Sequence, residues 1–83
     1  MKHVFLMLSI RNGEYEYTSK TVHSIPTDKN VSEFSEEYAS SFYGGEPDPS
    51  DDGYYFNAGE VHVSVCKVEE INDKHFNVLK QFI

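Results

Sequence analysis

The sequence predicts an α+β fold: one domain over residues 1–83, with an antiparallel sheet of about four strands and two helices on one face, a two-layer sandwich in the order ββαββα. Three observations lead there. Apolar residues alternate with a period of two in two separate stretches, a spacing of three to four residues appears in two others, and 83 residues suffice for one small core but not for two.

Val4, Leu6, Leu8 and Ile10 recur every second residue, with His3, Phe5, Met7 and Ser9 between them. A strand of this pattern buries one face fully and the other partly, which suits a place near the sheet centre. The same stretch superficially copies an export signal, but it is short, Arg11 and Asn12 close it, and no small-x-small cleavage site follows. No window approaches the ~20 apolar residues that span a bilayer, so no membrane association is expected.

Asn12-Gly13 predicts a two-residue hairpin turn, since both residue types tolerate positive φ. In the strand that follows, Tyr15, Tyr17, Ser19, Thr21, His23 and Ile25 share one face, with Glu14, Glu16, Thr18, Lys20, Val22 and Ser24 on the other. Its polarity predicts a solvated face. Pro26 ends the pairing because it has no amide hydrogen. Asn30 and Glu33 form a capping-box pattern, and Val31, Phe34, Tyr38, Ala39 and Phe42 then make an apolar helical stripe that Gly44 and Gly45 stop.

Glu46 to Gly53 reads as loop, with two prolines and no large apolar side chain. Tyr54 to Phe56 is a short strand, Asn57-Ala58-Gly59 a turn, and Val61, Val63 and Val65 alternate along a further strand. Past Val65 the alternation breaks at Cys66, which a bulge or a strand buried on both faces would explain. Asn72 or Asp73 caps a last helix whose Phe76, Leu79, Phe82 and Ile83 form an apolar edge.

Charge carries the functional expectation. The formal net charge is -7 and the pI about 4.9, which disfavours direct nucleic-acid binding. The excess is local: no Lys or Arg falls between Lys29 and Lys67, while Glu33, Glu36, Glu37, Glu46, Asp48, Asp51, Asp52 and Glu60 do. Tyr43 and Tyr54 flank them, and tyrosine suits interfaces because it joins apolar area to a polar tip. The expected partner-binding set is therefore Glu33, Glu36, Glu37, Tyr43, Glu46, Asp48, Asp51, Asp52 and Tyr54. Solubility alone also accounts for surplus carboxylates, and the two readings part on whether the charges gather on one wall.

Candidate chemistry is thin. Asp48-x-Ser50-x-Asp52-Gly53 matches half of a calcium loop, but the twelfth position is Gly59, where a carboxylate is required. His62, Ser64 and Cys66 could share a strand face, yet two ligands do not make a zinc site, and Cys66 is expected to be a small core residue. His23 and His75 are expected to titrate as ordinary surface groups. No Gly-rich phosphate loop, GxSxG elbow or HExxH motif is present.

The expectation is a non-enzymatic acidic interaction module, with no catalytic residues, cofactor or metal. Its sharpest form is an inhibitor of the phage or mobile-element type, docking on the basic nucleic-acid-binding surface of a larger protein by nucleic-acid mimicry. The single cysteine points to a cytoplasmic setting. The alternative is a structural or cation-binding module using the Asp48–Gly53 loop, and a homo-oligomer paired through the short third strand stays open.

Overall fold

The alternation of Val4, Leu6, Leu8 and Ile10 is realised as β1 (Lys2–Asn12), joined by a tight hairpin to β2 (Tyr15–Ile25). This is a computed structural model, and it describes residues 1–44 and 46–83. After α1 (Val31–Ser40) come β3 (Asp48–Ser50), β4 (Gly53–Phe56), β5 (Val61–Ile71) and α2 (Asp73–Lys80). The strands form one antiparallel sheet in the order β2-β1-β5-β4-β3. The α+β class stands, with five strands in place of about four. The added one is Asp48–Ser50, inside the stretch expected to be loop. Its composition is that of an edge, where Pro49 is tolerated because part of the backbone faces solvent.

Leu6, Leu8, Ile10, Val61 and Val63 are fully buried and form the core with Phe56 and Ala39. Each large aliphatic chain taken wholly out of water contributes roughly 1.5–3 kcal/mol. The helix residues buried against this face are the small Ser35 and Ala39, four apart, flanked by the half-buried Phe34, Tyr38 and Phe42. Small residues on the inner line let the helix lie close. The buried Ser35 hydroxyl is satisfied by donating to the Ser32 carbonyl at 2.7 Å. The sequence stripe had its flanks right but passed over Ser35.

The two helices do not share a face. His23 is opposite Val4 in the β1–β2 register and packs against Phe34 and Tyr38 of α1. His3, the next residue along β1, therefore points the other way, and it stacks on Phe76 of α2 at 4.0 Å. It also contacts Asp73 at 2.7 Å and Ser24 at 2.9 Å. The two-layer sandwich is thus corrected: α1 covers one side of the sheet and α2 covers one end of the other. The cause lies in β5, where the pairing shifts between Met7↔Lys67 and Leu8↔Val65 and leaves Cys66 as an extra residue. That bulge reverses the phase, so Ile71 comes opposite His3 on the α2 side, where Phe5 and Val22 add apolar surface. Cys66 itself is exposed, which corrects its expected core position.

Local differences have simple causes. The β1–β2 turn is centred on Gly13 and Glu14, one residue later than expected, with φ +62° at Gly13 and no positive φ at Glu14, as in a II′ hairpin. Helix α1 stops at Ser40, and Ser41 hydroxyl and backbone groups bond back to Glu37 and Tyr38. The stop expected at Gly44-Gly45 falls partly on Gly45, which lies outside the described residues. Gly53 allows β4 to sit tightly on β5, since a Cβ there would run into the Val63 carbonyl oxygen and the Ser64 backbone.

Candidate functional site

The acidic segment is carried by α1, the β3–β4 hairpin and the turn before β5. Asn30 caps α1 by accepting from the Glu33 amide at 2.9 Å. The reciprocal half of the expected capping box does not form, because the Glu33 carboxylate lies 3.8 Å from Lys29 Nζ. Lys29 also donates to Glu37 at 2.8 Å, and these two carboxylates hold its ammonium above the usual lysine range. One cation thus serves two carboxylates. Glu36, one position away, accepts instead from the Tyr54 hydroxyl at 2.8 Å, and that bond to an anion raises the phenol's pKa.

The hairpin carboxylates divide. Tyr54 is opposite Val63 and Tyr55 opposite His62, so Tyr54 faces α1 and Tyr55 faces away. Asp48 is opposite Tyr55 and falls on the side away from α1. Asp52 accepts from Ser50 at 3.1 Å and lies 3.2 Å from His62 Nε2. The Ser50 hydroxyl and then the His62 charge hold its carboxyl below the usual range. His62 is further held by the Tyr55 ring at 4.6 Å. Of the nine sequence-predicted residues, Glu36 and Tyr54 meet on the α1 side, where Glu33 and Glu37 share Lys29. Asp48 and Asp52 lie on the other side of the sheet, in the β3–β4 hairpin at its edge. Glu46 and Asp51 are exposed beside them, and Glu36, Glu46, Asp48 and Asp51 take no salt bridge among the described residues.

Tyr43 belongs elsewhere. Its ring lies 5.8 Å from Phe56 and its hydroxyl accepts from Asn12 at 3.3 Å, at the tip of the β1–β2 hairpin. A hydrogen bond with Tyr43 raises the pKa of Tyr17. Tyr15 and Tyr17 are 79% and 48% exposed on the α1 side of β2. Sequence reasoning placed them on one strand face without marking them as surface. The signal was available, since Ser19, Thr21 and His23 supply no aliphatic neighbour able to bury them.

Asp48-x-Ser50-x-Asp52-Gly53 forms a β-hairpin with Ser50 opposite Gly53. Among the described residues, no three His, Cys, Asp or Glu side chains gather as metal ligands. Two open clefts flank α2. One, of about 610 Å³, is lined by Phe5, Lys67, Glu69, Ile71, His75 and Leu79 among others. The second, of about 550 Å³, lies toward Lys20, Val22, Phe76 and Ile83. Among the described residues no helix is long and apolar enough to cross a membrane. In comparisons with known proteins, no family model, no curated protein and no solved structure matches the chain.

Proposed function

We propose that the protein is a non-enzymatic interaction module whose acidic end, built from α1 and the β3–β4 hairpin, docks on a basic surface of a larger protein. The observation that supports this most is segregation: eight carboxylates lie between Lys29 and Lys67 with no Lys or Arg among them. Six of the eight, Glu33, Glu36, Glu37, Asp48, Asp51 and Asp52, belong to α1, which packs mainly on β5, and to the β3–β4 hairpin, at the edge of the sheet remote from β2. They lie on both sides of the sheet, so the complementary shape is a basic cleft that takes the β3–β4 edge together with α1. A flat basic face would reach only half of them.

A positively charged channel built for nucleic acid has that shape, and occupying it would inhibit its owner by mimicry of the phosphate backbone in a cytoplasmic setting. Attraction of this kind acts chiefly on the rate of association and weakens with salt.

Capture from a lysate of the source cells on the immobilised chain, eluted by a salt gradient, is the test. The expected catch is a protein with a basic nucleic-acid-binding surface, displaced by duplex DNA or RNA. Triple reversal Glu46→Lys, Asp48→Lys and Asp51→Lys, at positions that carry no salt bridge, should weaken that capture at least about tenfold. Equal capture by the triple variant rejects the reading, as does a catch indifferent to salt.

A further inference from the structure

We propose that the outer edge of β2 pairs with the same edge of a second copy of this chain, antiparallel about a twofold axis at Thr18, so that two five-stranded sheets continue as one. This stands apart from the acidic-end reading and uses the opposite edge of the sheet.

β2 is eleven residues long and, among the described residues, has β1 as its sole strand partner. It contains no proline, and its register with β1 runs from Ile25 to Tyr15 without a shift. Exposed edges are normally blunted by shortness, proline, bulges or clustered charge. The other edge has three of these: β3 is three residues long, contains Pro49 and lies among carboxylates. On β2 only Lys20 and Glu16 serve, and they are of opposite sign.

The backbone groups that face outward follow from the ladder. The Gly13 amide donates to the Glu60 carbonyl at 3.0 Å, continuing the β1–β5 register, so odd-numbered residues of β1 bond to β5 and even-numbered ones bond to β2. Their β2 partners are odd-numbered, as in Leu8↔Ser19 and Ile10↔Tyr17. The amides and carbonyls of Glu16, Thr18, Lys20 and Val22 are left pointing away from the sheet.

Side chains select the register. An axis at Thr18 sets Glu16 of each copy against Lys20 of the other, twice by symmetry. An axis at Lys20 would oppose two ammonium groups, and one at Glu16 would oppose two carboxylates. On the reverse side the same register lays the exposed Tyr15 and Tyr17 against Thr21 and Ser19 of the second copy, covering aromatic surface that the single chain leaves in water. The β3–β4 hairpins, with Asp48, Asp51 and Asp52, are then the far edges of the joined sheet, which keeps these carboxylates of the two copies apart.

Sedimentation equilibrium of the full chain from micromolar to near-millimolar concentration tests this. A monomer–dimer equilibrium is expected, and Thr18→Pro, which removes an outward amide, should shift it to monomer. Glu16→Lys or Lys20→Glu alone should weaken dimerisation by about tenfold, and the two together should restore it. Hydrogen exchange on the unaltered chain guards against a variant that fails to fold: the Glu16, Thr18 and Lys20 amides should exchange fast when dilute and slow when concentrated. A chain that stays monomeric throughout overturns the proposal and leaves the edge to a strand of another protein. So does a dimer in which these three amides stay fast, or one that Thr18→Pro leaves intact in a folded variant.

Discussion

His23 sits in the seam between β2 and α1, with the Phe34 and Tyr38 rings 5.2 and 4.7 Å away and the Thr21 hydroxyl 2.7 Å from Nε2. It was expected to titrate as an ordinary surface group. Instead, burial lowers its pKa, because the imidazolium loses hydration that no facing carboxylate replaces. A histidine whose folded pKa is depressed binds protons more readily once unfolded, so its contribution to stability falls as pH drops through the ordinary range near about 6.5 and levels off below the folded value. Urea unfolding of the parent chain and of His23→Phe between pH 8 and about 5 should therefore diverge. The parent loses stability relative to the variant on acidification, and parallel curves would show that the ring is solvated. The His3–Asp73 and His62–Asp52 contacts are common to both proteins, so the difference isolates His23.

At the scale of the element, helix α1 shows how much the order of residues dictates by itself. Its start was legible because Asn30 is an acceptor placed three residues before an amide that has no helical partner, and that bond forms at 2.9 Å. Asn30→Ala should cost about 1 kcal/mol in chemical unfolding, while Asn30→Ser should be nearly neutral. Replacing Lys29 should cost less, since solvent screens its exposed ion pairs. Equal losses would mean that the ion pairs, not the cap, start the helix. Strand β1 was equally legible because its apolar residues hold a period of two, and β2 because the Asn12-Gly13 turn signal precedes it and Pro26 ends it. β3 was not, since Asp48-Pro49-Ser50 has the composition of a turn and becomes strand only by lying against β4. The side chosen by α2 was hidden for a related reason: its floor is assembled from His3, Phe5, Val22 and Ile71 on three strands, and the extra residue at Cys66 decides which way Ile71 points.

For the whole molecule, the legible part of the candidate site was its segregation along the chain. The hidden part was the division of its carboxylates between two sides, which depends on the β4–β5 register that turns Tyr54 toward α1 and His62 away. The molecule measures 40 × 27 × 19 Å, and its excess negative charge is carried by α1, the β3–β4 hairpin and the turn before β5. At about 0.01 M salt the screening length is ~30 Å and these carboxylates repel one another; at about 0.15 M it shrinks to ~8 Å. Raising salt between these limits should lift the midpoint of thermal unfolding by roughly 4 °C at high dilution, followed by circular dichroism. A fall would mean that the ion pairs of Lys29, Lys2 and Lys67 outweigh the repulsion. The strand order has its own consequence for how the chain folds. β1 lies between β2, its neighbour in the chain, and β5, the last of the five strands in chain order. The β1–β2 hairpin can therefore form early, but Leu6, Leu8 and Ile10 stay open to water until β5 has left the ribosome. Such late, long-range closure is slow, and it exposes a sticky ribbon during translation that nascent-chain chaperones would have to shield.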